Sequence, residues 1–246
     1  MMLGSLPPAL RDAAVDDEVF GLRPDYGAFL LVAEGLRGGP TDVASDAALA
    51  DAEERARALL MERSLDEVPQ ILEWREAYRS FGVKPRQARS SVEALIRRTA
   101  QGLPRIDRLT DLYNAVSVER LLPIGGEDLA GYVGAPRLVR AVGTEPFDTV
   151  VSGEPTTETA EPGEVVWRDD RGITCRRWNW RQCARTRLTA DTVDALFILD
   201  GLAATGRTGL FEAGADLVAR LETANPGVTI TSRLIVPPDP HTEETD

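Results

Sequence analysis

The stretch Gly163–Gln182 reads GEVVWRDDRGITCRRWNWRQ. EVVWRD and ITCRRW are short, rich in β-branched and aromatic residues, and separated by Asp170-Arg171-Gly172. They predict two strands joined by a tight turn. Cys175–Gln182 then packs two tryptophans, three arginines, an asparagine and a glutamine into eight positions. Strand alternation would put Arg176, Trp178 and Trp180 on one face, with Arg177, Asn179 and Arg181 on the other. Two readings stand: core tryptophans flanked by surface arginines, or a recognition surface for a polar ligand. The second is preferred, because asparagine and arginine are costly to bury without a partner.

Outward from this segment the two halves of the chain differ in texture. After Leu121, the runs LLPIG, APRLVRAV and ALFILDG read as further strands; a helix over about 210–223 and a last strand, VTITSRLIV, follow. Residues 152–163 read as a Pro/Thr/Glu loop and 237–246 as a disordered tail. Before Leu121 the chain is mostly helical, apart from a buried strand within 25–36. Thr41–Arg63 predicts a helix. Ser64 with Glu67 and Ser90 with Glu93 form capping-box patterns for two more, the first with Val68, Ile71, Leu72 and Tyr78 at helical spacing and the second with Val92, Leu95 and Ile96 inward. Leu109, Leu112, Tyr113 and Val116 mark one apolar helical face, leaving Asp111 and Asn114 to meet water or to line the edge of a pocket. Helices clustered ahead of strands argue for α+β, with helices packed on a mixed or antiparallel sheet. The expected layout is a segment 1–64 packed on a main domain 65–236.

With 43% hydrophobic and 28% charged residues over 246 positions, the chain has an ordinary globular composition. It shows no membrane-length apolar run and no signal-peptide pattern, so a cytoplasmic protein is expected. Cys175 and Cys183 are expected to be free thiols. The single histidine, His241, lies in the tail, which argues against a Ser-His-Asp or Cys-His system and against a zinc site. No metal and no cofactor are expected. A net charge of −12 argues against general nucleic-acid binding. Two basic clusters stand out locally: Lys84–Arg108 has seven bases against Glu93 and Asp107, and Arg168–Arg187 has seven arginines against Asp169 and Asp170. These are either solvated faces and ion pairs or contacts to a phosphate backbone. In FGVKPRQARSS, Lys84 and Arg86 flank Pro85 just before a helix N-terminus, which suits an anion.

Three blocks carry a resemblance. WREAYRSFGVKPRQARSSVEALIRR, LTDLYNAVSVERLLPIGGEDL and GEVVWRDDRGITCRRWNWRQ together resemble the free-standing relatives of the B3/B4 editing module of the phenylalanyl-tRNA synthetase β subunit, over roughly Trp74 to Gly201. The resemblance implies a B3/B4-like fold and a pocket for an aminoacyl group. By position, Asn114 matches a pocket asparagine, and Pro123 and Asp128 match the ends of a Pro-x-His-x-x-Asp turn. Gly125 stands where that turn has its histidine. No partner for the module's pocket glutamate is assigned within Asp194–Asp200.

The function expected from this combination is hydrolysis of the ester of a mischarged tRNA. An aminoacyl ester is already activated, so orienting it beside a water can suffice. Asn114, Asp111 and Asp128 are the catalytic candidates. Gly125, Gly126, Trp178, Asn179, Arg181 and Gln182 are expected to bind substrate, the two glycines because no Cβ blocks their N–H groups. Lys84, Arg86, Arg89 and Arg176 are expected to contact nucleic acid. The rival readings are a non-catalytic module for an amino acid or related metabolite, and an RNA- or protein-binding adaptor whose pocket is filled.

Overall fold

A computed structural model describes residues 6–84 and 86–238; Pro85, most of the expected tail and His241 lie outside the described residues. In chain order the elements are α1 (Pro8–Arg11), β1 (Ala14–Val15), α2 (Asp17–Leu22), β2 (Gly27–Glu34), α3 (Val43–Glu62), α4 (Pro69–Ser80), α5 (Ser91–Arg98) and α6 (Arg108–Arg120). There follow β3 (Ile124–Asp128), β4 (Arg137–Arg140), β5 (Pro146–Val151), β6 (Glu154–Thr159), β7 (Val165–Arg168), β8 (Ile173–Arg176), β9 (Arg181–Gln182), β10 (Ala195–Gly201), α7 (Gly206–Ala224) and β11 (Thr229–Ile235). The fold is α+β, as the order of textures implied.

A four-stranded antiparallel sheet, β11-β2-β10-β3, lies at the centre. Its inner strands β2 and β10 are apolar on both faces because both faces are covered. Phe29, Leu31, Phe197 and Leu199 pack with Leu112 and Val116 of α6 and with Leu210, Ala213 and Leu217 of α7. One residue out of phase, Leu30, Val32, Leu196 and Ile198 face the second sheet, β1-β4-β7-β8-β9, and pack with Leu138, Trp167 and Trp178. Helices α3 to α6 form a third cluster around Leu49, Ile71, Val92 and Ala115. No helix among the described residues is long and apolar enough to cross a membrane.

Several local expectations need correcting. Helix α6 is not amphipathic: every residue from Leu109 to Val118 is buried, because neighbours cover it on all sides. The Ser64–Glu67 box is formed but closes a 3-10 turn, and α4 starts at Pro69, with Leu72 exposed. Residues 152–163 are not simply a loop. Glu154–Thr159 pairs with Pro146–Val151 across a turn at Ser152-Gly153, both in the left-handed region (φ 53° and 90°). Exposure of nearly all of β6 explains its loop-like composition. Finally, β8 stops at Arg176, and the chain turns through Arg177 and Trp178 with φ of 47° and 67°. The alternation extrapolated through Trp180 therefore fails.

Candidate functional site

That turn builds one wall of a cavity. Left-handed conformations cost roughly 1–2 kcal/mol per non-glycine residue, so two in succession need support. Trp178 N–H donates to the Val165 carbonyl at 2.6 Å, and Trp180 N–H to the Arg176 carbonyl at 3.0 Å. Glu164 accepts from the Arg177 N–H at 3.1 Å. Trp178 is thereby sunk into the core, Asn179 lines the cavity, and Trp180 stays half-buried.

The cavity measures about 280 Å³ and lies between the two sheets, under the α5–α6 corner. That is near the lower bound for small-molecule sites and suits an amino acid better than a nucleotide. Helix α5 contributes Ser91, Leu95 and Arg98; α6 contributes Tyr113 and Asn114. Strand β3 supplies Gly125 and Glu127, and β10 supplies Ile198 and Asp200, each pair on one face by period two. Trp167, Cys175, the Trp178–Trp180 turn, Arg181 and Gln182 complete the lining.

Asp200 anchors one end. Its Oδ1 accepts from the Tyr26 hydroxyl at 2.6 Å and its Oδ2 from Asn179 Nδ2 at 3.2 Å. The Asn179 carbonyl oxygen accepts in turn from the Tyr78 hydroxyl at 2.9 Å, which leaves one Nδ2 proton of Asn179 uncommitted. Complete burial outweighs these bonds and pushes the Asp200 carboxyl up to about 7. Glu127 also sits at about 7, raised by burial and tempered by the nearby hydroxyls of Tyr132, Thr186 and Thr174. Register pairs Glu127 with Leu196, four residues from Asp200 along β10 or roughly 13 Å, so the two carboxyls serve opposite ends and not one atom. Burial holds the Cys175 thiol well above its ordinary value, which disfavours a thiolate nucleophile.

The structure brings Asn114, Gly125, Trp178, Asn179, Arg181 and Gln182 to this one cavity. Arg181 is held by Glu158 at 2.7 Å, its guanidinium 5.1 Å from the Phe147 ring and 5.0 Å from that of Trp180. Gln182 Nε2 donates to the Gly126 carbonyl at 2.8 Å.

Seven candidates lie outside the lining. Asp111 is fully buried against α3, accepting from Thr41 Oγ1 at 2.6 Å and the Ile106 N–H at 3.0 Å. Asp128 caps the turn Leu129–Gly131 and accepts from Thr192. Gly126 points its missing side chain the other way, toward Leu188, Tyr113 and Phe197. Arg176 is buried in ion pairs with Glu164 at 2.8 Å and Glu158 at 3.0 Å, out of reach of a phosphate backbone. Lys84, Arg86 and Arg89 lie just ahead of α5, Lys84 and Arg86 exposed and Arg89 still partly solvated. The Ser91 N–H at the start of α5 donates to the backbone carbonyl of Asn179, so this basic loop adjoins the cavity wall. Glu127, Asp200, Trp167 and Arg98 were missed as individual site residues. Period two from Gly125 and from Ile198 was the available signal for the two carboxyls.

The two adjacent glycines make an internal control. A Cβ on Gly125 would meet Gln182 Nε2 at 3.1 Å, the far end of a side chain that lines the cavity. One on Gly126 would meet Leu188 at 2.7 Å and Tyr113 at 2.9 Å in a packed core. Gly125→Ala is expected to weaken ligand binding with little change in unfolding free energy, whereas Gly126→Ala should cost about 1–3 kcal/mol of stability. Denaturant titration of both variants checks this; equal destabilisation would overturn the assignment of faces.

No curated protein matches the chain. Among solved structures, an N-terminal fragment of the phenylalanyl-tRNA synthetase β subunit from Pyrococcus horikoshii is similar at 16% identity and a TM-score of 0.44, over 92% of this chain and 54% of the fragment. The chain thus spans about half the length of that fragment. A family model described as the B3/4 domain matches residues 73–210, which include α5, α6 and every lining residue of the cavity. The chain belongs to the B3/4 domain family.

Proposed function

We propose that this protein hydrolyses the ester of a mischarged aminoacyl-tRNA. The observation that carries the reading is the cavity itself: it is open, sized for one amino acid, and lined by polar groups with unused hydrogen-bonding capacity among tryptophans. An adaptor reading would need that space filled. Water attack on an activated ester needs orientation and charge stabilisation more than a nucleophile. The spare Asn179 proton and the Asn114 amide hold the substrate carbonyl and amino acid. Arg181 and Arg98 face the terminal ribose. The water-orienting role expected of Asp111 or Asp128 passes to Asp200, whose value of about 7 suits a general base at neutral pH. Lys84, Arg86 and Arg89 take the phosphate backbone beyond the mouth.

Binding without turnover is the second reading. It is favoured by the two oxygens of Asp200 each already accepting a hydrogen bond. Incubation with a panel of mischarged aminoacyl-tRNAs, following release of free amino acid, separates the two. Release from at least one of them is expected, reduced in Asn114→Ala by the equivalent of about 1–3 kcal/mol. No release, with tight binding of an amino-acid amide, would establish the second reading instead.

Binding of tRNA is expected to weaken with salt. Neutralising Lys84 or Arg86 should each lower the slope of log K against log salt by about one, while Arg176→Ala should act through stability. A slope unchanged by Lys84→Ala and Arg86→Ala would remove this loop from the interface.

A further inference from the structure

Glu127 is 1% exposed, lines the cavity, and neither of its carboxylate oxygens has a hydrogen-bond partner among the described residues. No cation among those residues serves it. Arg185, the nearest candidate on the following segment, is held by both oxygens of Asp169, at 2.7 and 3.0 Å, and by the Gly131 carbonyl. Arg187, across an isolated β-bridge from Glu127, is exposed and makes no ion pair with it. The remaining groups around the carboxyl are neutral or negative: Tyr132 on the turn after β3, Thr174 and Cys175 on β8, Cys183 and Thr186 beyond β9, Tyr113 on α6, and Asp169. A buried carboxylate left in this state is costly, and the cost is relieved by a cation delivered from the cavity.

We propose that Glu127 is the ammonium-reading end of the cavity, so that the ligand carries a primary amine, as its α-amino group or at the end of its side chain. This rests on the reading of the cavity as an amino-acid site. Asp200 has the weaker claim, because each of its oxygens already accepts one hydrogen bond, from Tyr26 and from Asn179, whereas those of Glu127 accept none. An ammonium group has three donors in one compact point charge, enough to serve both oxygens of Glu127 and one neighbouring hydroxyl together. A neutral hydroxyl has a single donor, and three hydroxyls already surround the carboxyl without satisfying it. Gly125, two residues along the same face of β3, adds no side chain of its own to the approach, which is bordered there by the Gln182 amide.

Three stable amides that share the carbonyl of an aminoacyl ester test the proposal by titration calorimetry. L-Phenylalaninamide has only an α-amine, 6-aminohexanamide only a terminal amine, and 3-phenylpropanamide none. At least one amine-bearing amide is expected to bind about tenfold or more tighter than 3-phenylpropanamide, and which one identifies the source of the ammonium. Glu127→Gln should erase that advantage while circular dichroism reports an unchanged fold. The wild-type protein gives a second readout that needs no variant: near about pH 6, where the carboxyl is largely protonated, amine binding should release a proton into buffer, and 3-phenylpropanamide should release none. Equal affinity for the three amides, or an advantage that survives Glu127→Gln, overturns the role of Glu127 alone. Binding of none of them overturns the amino-acid reading of the cavity as well.

Discussion

Trp178→Ala is expected to destabilise the protein by about 3–5 kcal/mol and to abolish ligand binding. The ring has no exposure and is the hub of an aromatic cluster. Its centroid lies 5.0 Å from Tyr26 and 5.5 Å from Trp74, both edge-on, and 6.2 Å from Phe81. Such contacts add to simple area burial, so truncation loses both packing and ring geometry. The anchor also holds a turn whose left-handed residues are otherwise unfavourable, so its loss frees Asn179 from the position between Tyr78 and Asp200. Trp180→Ala gives the contrast. That ring is half-buried and stacks on the guanidinium groups of Arg177 at 4.3 Å and Arg181 at 5.0 Å, interactions of about 1 kcal/mol. Chemical denaturation of both variants should show the large loss only at Trp178. A smaller loss there than at Trp180 would mean that the turn is not pinned from the core.

This pair also marks where sequence reasoning stops. Both tryptophans sit in one polar octet, and alternation assigned them the same face. The backbone instead leaves the strand at Arg177, a departure favoured by bonds that the Arg177 and Trp178 N–H groups donate to the Glu164 carboxylate and the Val165 carbonyl, each 13 residues earlier in the chain. Local pattern carries no record of such partners. Where an element's own composition decides its state, as in β2, α3 and β10, the apolar run or helix-forming composition was enough to predict it. Strand β6 was lost for the opposite reason: exposed on both faces, it had no apolar pattern to read.

The site divides along the same line. Asn114 and Asn179 stood out as polar residues in segments that must pack. Asp111 did too, and it turns out to be satisfied by Thr41 and the Ile106 N–H, contacts from the residues just before α3 and α6. A polar residue on a packed segment therefore signals either a site or an internal bond, and only the third dimension separates them. Glu127 and Asp200 were hidden differently, each at or near the end of a buried strand where an acidic residue reads as the start of a turn.

Those two carboxyls should make the protein lose stability as pH rises from about 4 to above 7. Unfolded, Asp200 and Glu127 titrate near their ordinary values of 3.8 and 4.5; folded, burial holds both at about 7. Between these limits the native state binds more protons than the unfolded state, so the free energy of unfolding falls with increasing pH, then levels off. At 1.36 kcal/mol per pK unit the loss is about 3–4 kcal/mol for each group. Glu93, Asp169 and Glu145 are held below their ordinary values, and their contribution is lost only as pH falls through the acid range, so the two windows separate. In Asp200→Asn the new amide can still accept from Tyr26 and donate to Asn179, whose own amide rotates to donate to Tyr78; the network survives without a charge. That variant should therefore match or exceed the wild type above about pH 7 and lose roughly half of the pH dependence. Unfolding free energies measured in urea at about pH 4.5 and pH 8 decide it. A variant with the full wild-type slope would show that Asp200 does not carry its proton to neutral pH, and the general-base role assigned to it would fall with that result.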